Sequence, residues 1–248
     1  MFSKVFVGCK TGYGEEIKKK VCKILDRFGL KYTLTDKNNV DLAILIGGDG
    51  TVLRHQNTLS APIFGINPGS SVGYYMTANP KNFGRKLRNL LFGKEGKDYE
   101  VKKYTRLEAY INKTKMPFLA LNDVLISPIY VRRILDAELT LKGKKTVERN
   151  SGILVYTPTG SHAYAASAGA KPLEDMSKKF GVVAIAPYSG RLKKGEILIN
   201  RGSVKVKCLN NEGEVCIDGQ DDQTAKIRKG DIVAVRKTNN NASIIYVK

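Results

Sequence analysis

Ile44-Leu45-Ile46-Gly47-Gly48-Asp49-Gly50-Thr51 opens as an apolar run and breaks into three glycines around a single carboxylate. The apolar part reads as a buried strand, and the glycines mark a turn at its carboxyl end. Glycine lets the backbone turn freely and leaves N–H groups uncovered, so a phosphate can approach them closely. An aspartate in the same turn stands where a phosphoryl acceptor would have to lose its proton. The combination points to phosphoryl transfer, with an ordinary strand-to-helix turn as the alternative.

Working outward, strand and helix signals alternate over roughly the first 95 residues. Val5-Phe6-Val7 reads as a strand, and Ile17, Val21, Ile24, Leu25 and Phe28 then recur at helical spacing until Gly29. Tyr32-Thr33-Leu34 and Leu42 to Ile46 are further strand candidates. Thr51 to about Leu59 reads as a helix, Pro62 to Ile66 as a fourth strand, and Pro80 to about Leu91 as a basic helix. Such alternation predicts a parallel, Rossmann-like sheet covered by helices.

Gly93 to Tyr99 is the candidate linker, giving an α/β domain over 1–97 and a second domain over 98–248. Beyond it come closely spaced β-like runs, among them Phe118–Ile126, Ile153–Tyr156, Ile232–Val235 and Ile244–Val247. Asn210-Asn211-Glu212-Gly213 and Asn239-Asn240-Asn241 serve as turn signals between such runs. An all-β C-terminal domain is the expectation.

The net charge of +19 asks for anionic partners or a strongly basic surface. The lysines and arginines are scattered in short clusters, with no zinc-finger or RNA-recognition signature. Attraction of polyanionic small molecules is therefore expected, and nucleic acid is not. No run of 18 apolar residues occurs, and the first residues lack a signal-peptide core. A soluble, cytoplasmic protein without a membrane partner is expected. Cys9, Cys22, Cys208 and Cys216 form no CxxC pair, which favours free thiols over a zinc site.

There is no G-x-x-x-x-G-K-[ST], so this is not a P-loop enzyme. Gly12-Tyr13-Gly14 imitates the start of a dinucleotide fingerprint, but its third glycine would fall at Ile17. Three further segments carry chemistry. Gly65 to Gly73 is a Gly/Ser/Asn-rich loop that would open at the same sheet edge as the glycine turn, where ligands of open α/β folds collect. Asn122-Asp123 sits between apolar runs, and burying such a pair is costly unless partners satisfy it. An amide suits an adenine edge and a carboxylate suits ribose hydroxyls; a hairpin turn is the alternative. Tyr156 to Tyr164 carries five hydroxyls in nine residues around Pro158 and Gly160, which suits a ligand rich in hydroxyls and phosphates or, alternatively, a capped helix start.

Together these segments resemble the NAD kinase family. Its marks appear as Gly47–Thr51, Asn122-Asp123, Thr157–Tyr164 with Ser167 to Gly169, and Asp218-Gly219, in order over about 170 residues. The glycine turn alone is shared with diacylglycerol and sphingosine kinases, whereas the Thr157–Tyr164 segment is specific. The resemblance implies that Asp49 faces the 2′-hydroxyl of the adenosine ribose as general base. It implies that Gly47, Gly48, Gly50 and Thr51 hold the phosphates of ATP or polyphosphate, with Arg54 nearby. Asn122 would bond adenine and Asp123 the ribose diol, while Thr159, His162, Ala163, Tyr164, Ser167 and Ala186 would line the NAD pocket. Asp218 would lie near the donor phosphates or a metal, with Mg²⁺ or another divalent cation as cofactor. The implied product is NADP, the implied substrates are NAD and ATP, and the implied assembly is a homodimer or homotetramer with the site between the domains. The alternatives are a lipid kinase sharing the glycine turn, or a non-catalytic NADP- or nucleic-acid-binding protein.

Several positions depart from the family pattern. Asp123 stands for a glutamate, His162 for a threonine, and Ser151 for an acid that contacts the nicotinamide end. Only Ala186-Pro187-Tyr188 represents the family's Ala-Pro-Ile followed by Pro-His. A divergent, archaeal-type branch is the expectation.

Overall fold

The computed structural model describes residues 2–10, 12, 14–69, 73–130, 132–210 and 212–248. Tyr13, Ser70 to Val72 and Asn211, which fall in segments read above, lie outside the described residues. The chain divides into two compact units, 1–103 with 242–248, and 104–241.

In the first unit β1 (Lys4–Cys9) leads into α1 (Glu15–Arg27), which buries Ile17, Val21 and Leu25, the helical spacing seen in the sequence. Gly29 ends α1 with φ +66°, its N–H bonding Asp26 O while Leu30 N–H bonds Leu25 O. These two bonds form a Schellman motif, which needs a residue tolerant of the left-handed region. Then come β2 (Lys31–Thr33), β3 (Leu42–Ile46), α2 (Asp49–His55), β4 (Ile63–Ile66) and α3 (Phe83–Phe92). The strands are parallel in the order β2-β1-β3-β4, and Ile244 near the C-terminus pairs with Ile63 of β4, also in parallel. Val5, Val7, Ile44, Ile46 and Phe64 pack with α1 and with Leu87 and Leu90 of α3. Fully buried central strands explain the near-continuous apolar run Leu42–Ile46.

Residues 93–99 are a tight turn of this unit and not a linker. Gly93 N–H closes α3 on Asn89 O, Lys94 N–H bonds the Asp98 carboxylate at 2.8 Å, and Glu95 bridges Tyr99.

The remaining strands are β5 (Tyr99–Ile111), β6 (Thr114–Ala120), β7 (Asp123–Pro128), β8 (Leu135–Leu141), β9 (Lys144–Asn150) and β10 (Gly152–Tyr156). A 3₁₀ turn (Thr159–His162) and α4 (Tyr164–Ser167) precede β11 (Phe180–Ile185), β12 (Ile197–Ile199), β13 (Ser203–Cys208), β14 (Gly213–Ile217), β15 (Thr224–Ile227) and β16 (Ile232–Val247). The second unit holds two antiparallel arrays. One runs β16-β13-β8-β9, with the β5–β6 hairpin paired to β16, and the other runs β12-β11-β10-β7-β14-β15. Val124, Val155 and Val182 of the second array share a core with Leu139, Val206 and Val235 of the first. This is a β-sandwich.

Two sequence expectations give way here. Asn239-Asn240-Asn241 makes no turn, because residues 232–247 form one continuous strand. Arg106, 5% exposed, fixes its middle by donating from Nε to Asn240 O at 2.7 Å. Phe118–Ile126 is not one strand either: β6 ends at Ala120 and β7 begins at Asp123 in the other array. The division also differs from a single cut at residue 97, since 242–248 cluster with the first unit.

Candidate active site

The glycine turn joins β3 to α2. Gly47 N–H donates to Ile66 O at 3.0 Å, and Thr51 N–H to Gly48 O at 2.9 Å. A Cβ on Gly47 would lie 2.1 Å from Thr51 Oγ1, so only glycine lets that side chain fold back over the turn. Gly48 is the extended residue before the helix, Gly50 faces open space, and Arg54 is exposed in the last turn of α2.

Asp49 is half-buried, and both its carboxylate oxygens are engaged: Oδ2 accepts from Tyr74 N–H at 2.8 Å and Oδ1 from Tyr75 N–H at 2.9 Å. A carboxylate oxygen has two acceptor positions, so each oxygen keeps one for a hydroxyl. The two bonds fasten the start of α2 to the segment following β4. That segment borders a cleft of about 520 Å³ lined by Asn67, Gly69, Gly73, Met76, Asn79 and Lys81, among others. Sequence reading stopped at Gly73 and missed Tyr74 to Met76. The glycines were the visible trace. A Cβ at Gly65 would meet Tyr75 O at 2.7 Å, and one at Gly73 would meet Met76 Cγ at 2.5 Å.

In the second unit the Asn122-Asp123 pair forms the corner between β6 and β7. It is held from inside by Asp218, whose Oδ2 accepts from Leu121 N–H (2.8 Å) and whose Oδ1 accepts from Asn122 (2.7 Å) and Asp123 (3.0 Å) N–H. Asp218 N–H returns a bond to Asp123 O at 2.9 Å. Asp218 and Gly219 both sit in the left-handed region, at φ +52° and +62°, a conformation that Asp tolerates better than most residues. Burial and then the Asp218 charge push Asp123 up to about 7. Burial raises Asp218 to about 6, against the pull of the three amides and Arg106. Of this coupled pair Asp218 keeps its charge to lower pH, because it alone has three amide donors. Its carboxylate is thus turned to the corner's backbone. Among the described residues no group of three or more His, Cys, Asp or Glu could hold a metal ion.

The hydroxyl-rich segment locks onto the same corner. Thr157 N–H donates to Asn122 O at 2.8 Å, and the Thr157 and Thr159 hydroxyls both donate to Leu121 O, at 2.6 and 3.0 Å. Ser161 Oγ donates to Pro158 O and accepts from Leu173 N–H, while the Tyr156 hydroxyl bonds Glu196. Of the five hydroxyls expected to face a ligand, four are committed within the fold, and Tyr164 is the exposed one. Gly160 has the closest fit: a Cβ there would lie 2.0 Å from Asn122 O. No larger residue fits, and this interlock went unread in the sequence.

His162 is exposed, with Nε2 3.1 Å from Leu173 O; Ala163 is half-buried and Ser167 exposed beside it. Ala186, exposed at φ +44°, does not join this cluster. Tyr156 pairs with Asp123 at one end of β10, whereas Ser151 N–H bonds Ile185 O at the other. Ala186 therefore stands a strand length away, roughly 13 Å at 3.3 Å per residue.

A parallel sheet whose glycine turn carries an aspartate, followed by a β-sandwich, is the architecture of a class of nucleotide kinases that lack the P-loop. The model of the ATP-NAD kinase N-terminal domain matches residues 11–94, and that of the C-terminal domain residues 121–247. The chain belongs to the ATP-NAD kinase family. An NAD kinase of Methanothermobacter thermautotrophicus is 32% identical over 214 residues, 84% of this chain and 72% of the relative. One from Thermoplasma volcanium is 29% identical over 210 residues, 84% of this chain and 74% of that protein. The crystal structure of an NAD kinase from Archaeoglobus fulgidus in complex with ATP superposes with a TM-score of 0.80 at 26% identity, covering 99% of this chain and 93% of the other. Matches over both domains favour neither the lipid-kinase nor the non-catalytic alternative.

Proposed function

We propose that Asp49 is the general base of an NAD kinase reaction and that the Asn122-Asp123 corner receives the adenosine end of NAD. As a member of this family the chain transfers a phosphoryl group from ATP to NAD. Asp49 takes the proton of the ribose 2′-hydroxyl, that oxygen bonds the γ-phosphorus, and the bond to the ADP oxygen breaks as ADP leaves. Such transfers depend on positioning and on neutralising charge. The amides of Gly47 to Thr51 and the cation of Arg54 serve the donor phosphates. Asn122 bonds adenine, ionised Asp123 accepts from the ribose hydroxyls, and His162, Ala163, Tyr164 and Ser167 border the pocket. Thr159 contributes through the corner it braces, and Ala186 with Ser151 serves the nicotinamide end. Mg²⁺ or a similar cation, when bound on the donor's phosphates, offsets their charge.

The observation that carries this reading is the Asp49 carboxylate, fixed by the Tyr74 and Tyr75 amides within the glycine turn and beside the cleft. A homodimer or homotetramer belongs to the proposal, supported by Val147 and Tyr188, apolar side chains 58% and 66% exposed on the sandwich. A cytoplasmic setting fits the four free cysteines. The test is Asp49→Asn, expected to lower kcat by about 10²–10⁴-fold with circular dichroism unchanged. A variant retaining near-full turnover would remove Asp49 from the base role.

A further inference from the structure

At one end of the sandwich the chain leaves β12 of one array and enters β13 of the other. In that angle lies a cleft of about 480 Å³. Its cations are Lys142 and Lys144 of the β8–β9 hairpin, Arg191 of the 3₁₀ turn at Arg191–Lys194, Arg201 of the β12–β13 connection and Lys205 of β13. Its apolar face is Ile197 to Ile199. None of these residues belongs to the segments assigned above to NAD or ATP.

Two observations set this cleft apart from a generally basic surface. First, no carboxylate among the described residues lines it, whereas the adjoining Lys145 is paired with Glu138 at 3.0 Å. Second, the frame is rigid. Lys142 and Gly143 take φ +49° and +77° in a two-residue hairpin between the paired Leu141 and Lys144. Arg191 is anchored through its backbone, its N–H donating to buried Glu148 at 2.9 Å.

We propose that this cleft is a second anion site, binding a polyphosphate chain either as inorganic polyphosphate or as a nucleoside polyphosphate. Monoanions would engage one or two of the five cations, whereas a chain of phosphates can meet several at once. The volume admits a nucleotide-sized ligand, and the Ile197–Ile199 face offers an apolar wall for a base.

The test is amide-resolved NMR of the full chain at physiological ionic strength, titrated with inorganic tripolyphosphate, ATP or AMP. Saturable shifts are expected at Lys142 to Lys144 and Arg201 to Lys205. In Arg201→Glu/Lys205→Glu they should need at least about tenfold more tripolyphosphate, while NAD kinase kcat stays unchanged. Tighter binding of ATP than of tripolyphosphate identifies the nucleoside form, and equal binding the inorganic chain. Shifts confined to Gly47 to Thr51, non-saturating shifts, or AMP binding as tightly as tripolyphosphate would overturn the proposal. Should the double reversal fail to fold, Lys144→Gln/Lys205→Gln carries the same comparison.

Discussion

Replacing Asp218 by asparagine tests how the adenosine corner is held. The carboxylate accepts three buried amide bonds, from Leu121, Asn122 and Asp123. Bonds to a charged group are worth about 1.5–3 kcal/mol and neutral ones about 0.5–1.5. The side-chain carbonyl of the introduced asparagine can keep the two bonds of Oδ1 in neutral form, losing about 1 kcal/mol on each. Its NH₂ group then faces the Leu121 N–H, and a buried donor left unsatisfied costs about 1–3 kcal/mol. Relief of burying a second carboxylate beside Asp123 offsets part of this loss. A net destabilisation of about 2 kcal/mol follows, within the range of about 5–15 kcal/mol typical of total stability, so the variant folds. At about 2–4 °C per kcal/mol for a chain of this size, Tm falls by about 4–8 °C. Asparagine is chosen over alanine because it tolerates the left-handed backbone at φ +52°.

The kinetic signature of Asp218→Asn separates its possible roles. A loosened corner raises KM for NAD by about tenfold, while KM for ATP stays within about twofold. Loss of the Asp218 charge also lets Asp123 ionise at lower pH, so the pH at which NAD binding improves moves down. Calorimetry and steady-state kinetics against each substrate read these effects. An unchanged Tm and NAD KM, or a change confined to ATP and Mg²⁺ dependence, would refute the positioning role.

Further outcomes follow from the same geometry. Gly160→Ala drives a Cβ into the Asn122 carbonyl, 2.0 Å away, and should cost about 3 kcal/mol and weaken NAD binding, read by thermal unfolding and NAD KM. NAD KM should fall as pH rises through about 7, where Asp123 gains the charge that accepts ribose hydroxyls, and Asp123→Asn should abolish that dependence. For stability the sign is opposite. A carboxyl raised by folding contributes stability that is present below its unfolded pKa of about 3.9 and lost as pH rises through about 7. Asp123→Asn should therefore gain stability relative to the parent between about pH 5 and pH 8, measured by urea unfolding.

What the sequence made legible was local. The spacing of Ile17, Val21 and Leu25, the buried run Leu42–Ile46 and the glycine turn each follow from near neighbours and one period. What it hid was long-range. Asn239 to Asn241 carry turn propensity, but pairing at both ends and the Arg106 contact hold them extended. The run Phe118–Ile126 hides a change of sheet, since apolar strands on either side of Asn122 look alike in one dimension. Composition could not tell hydroxyls facing a ligand from those bonded within the fold, and Thr157, Thr159 and Ser161 are of the second kind. Nor could it show that the Asp218 carboxylate is turned to its own backbone, because that contact joins residues 96 apart in sequence.

The most direct test of the account is product identification after incubating the chain with NAD, Mg²⁺ and either ATP or polyphosphate. NADP carrying its new phosphate on the adenosine 2′-oxygen, formed in step with ADP when ATP is the donor and lost in Asp49→Asn, is the predicted result. No NADP with any donor, or undiminished NADP from Asp49→Asn, would contradict it.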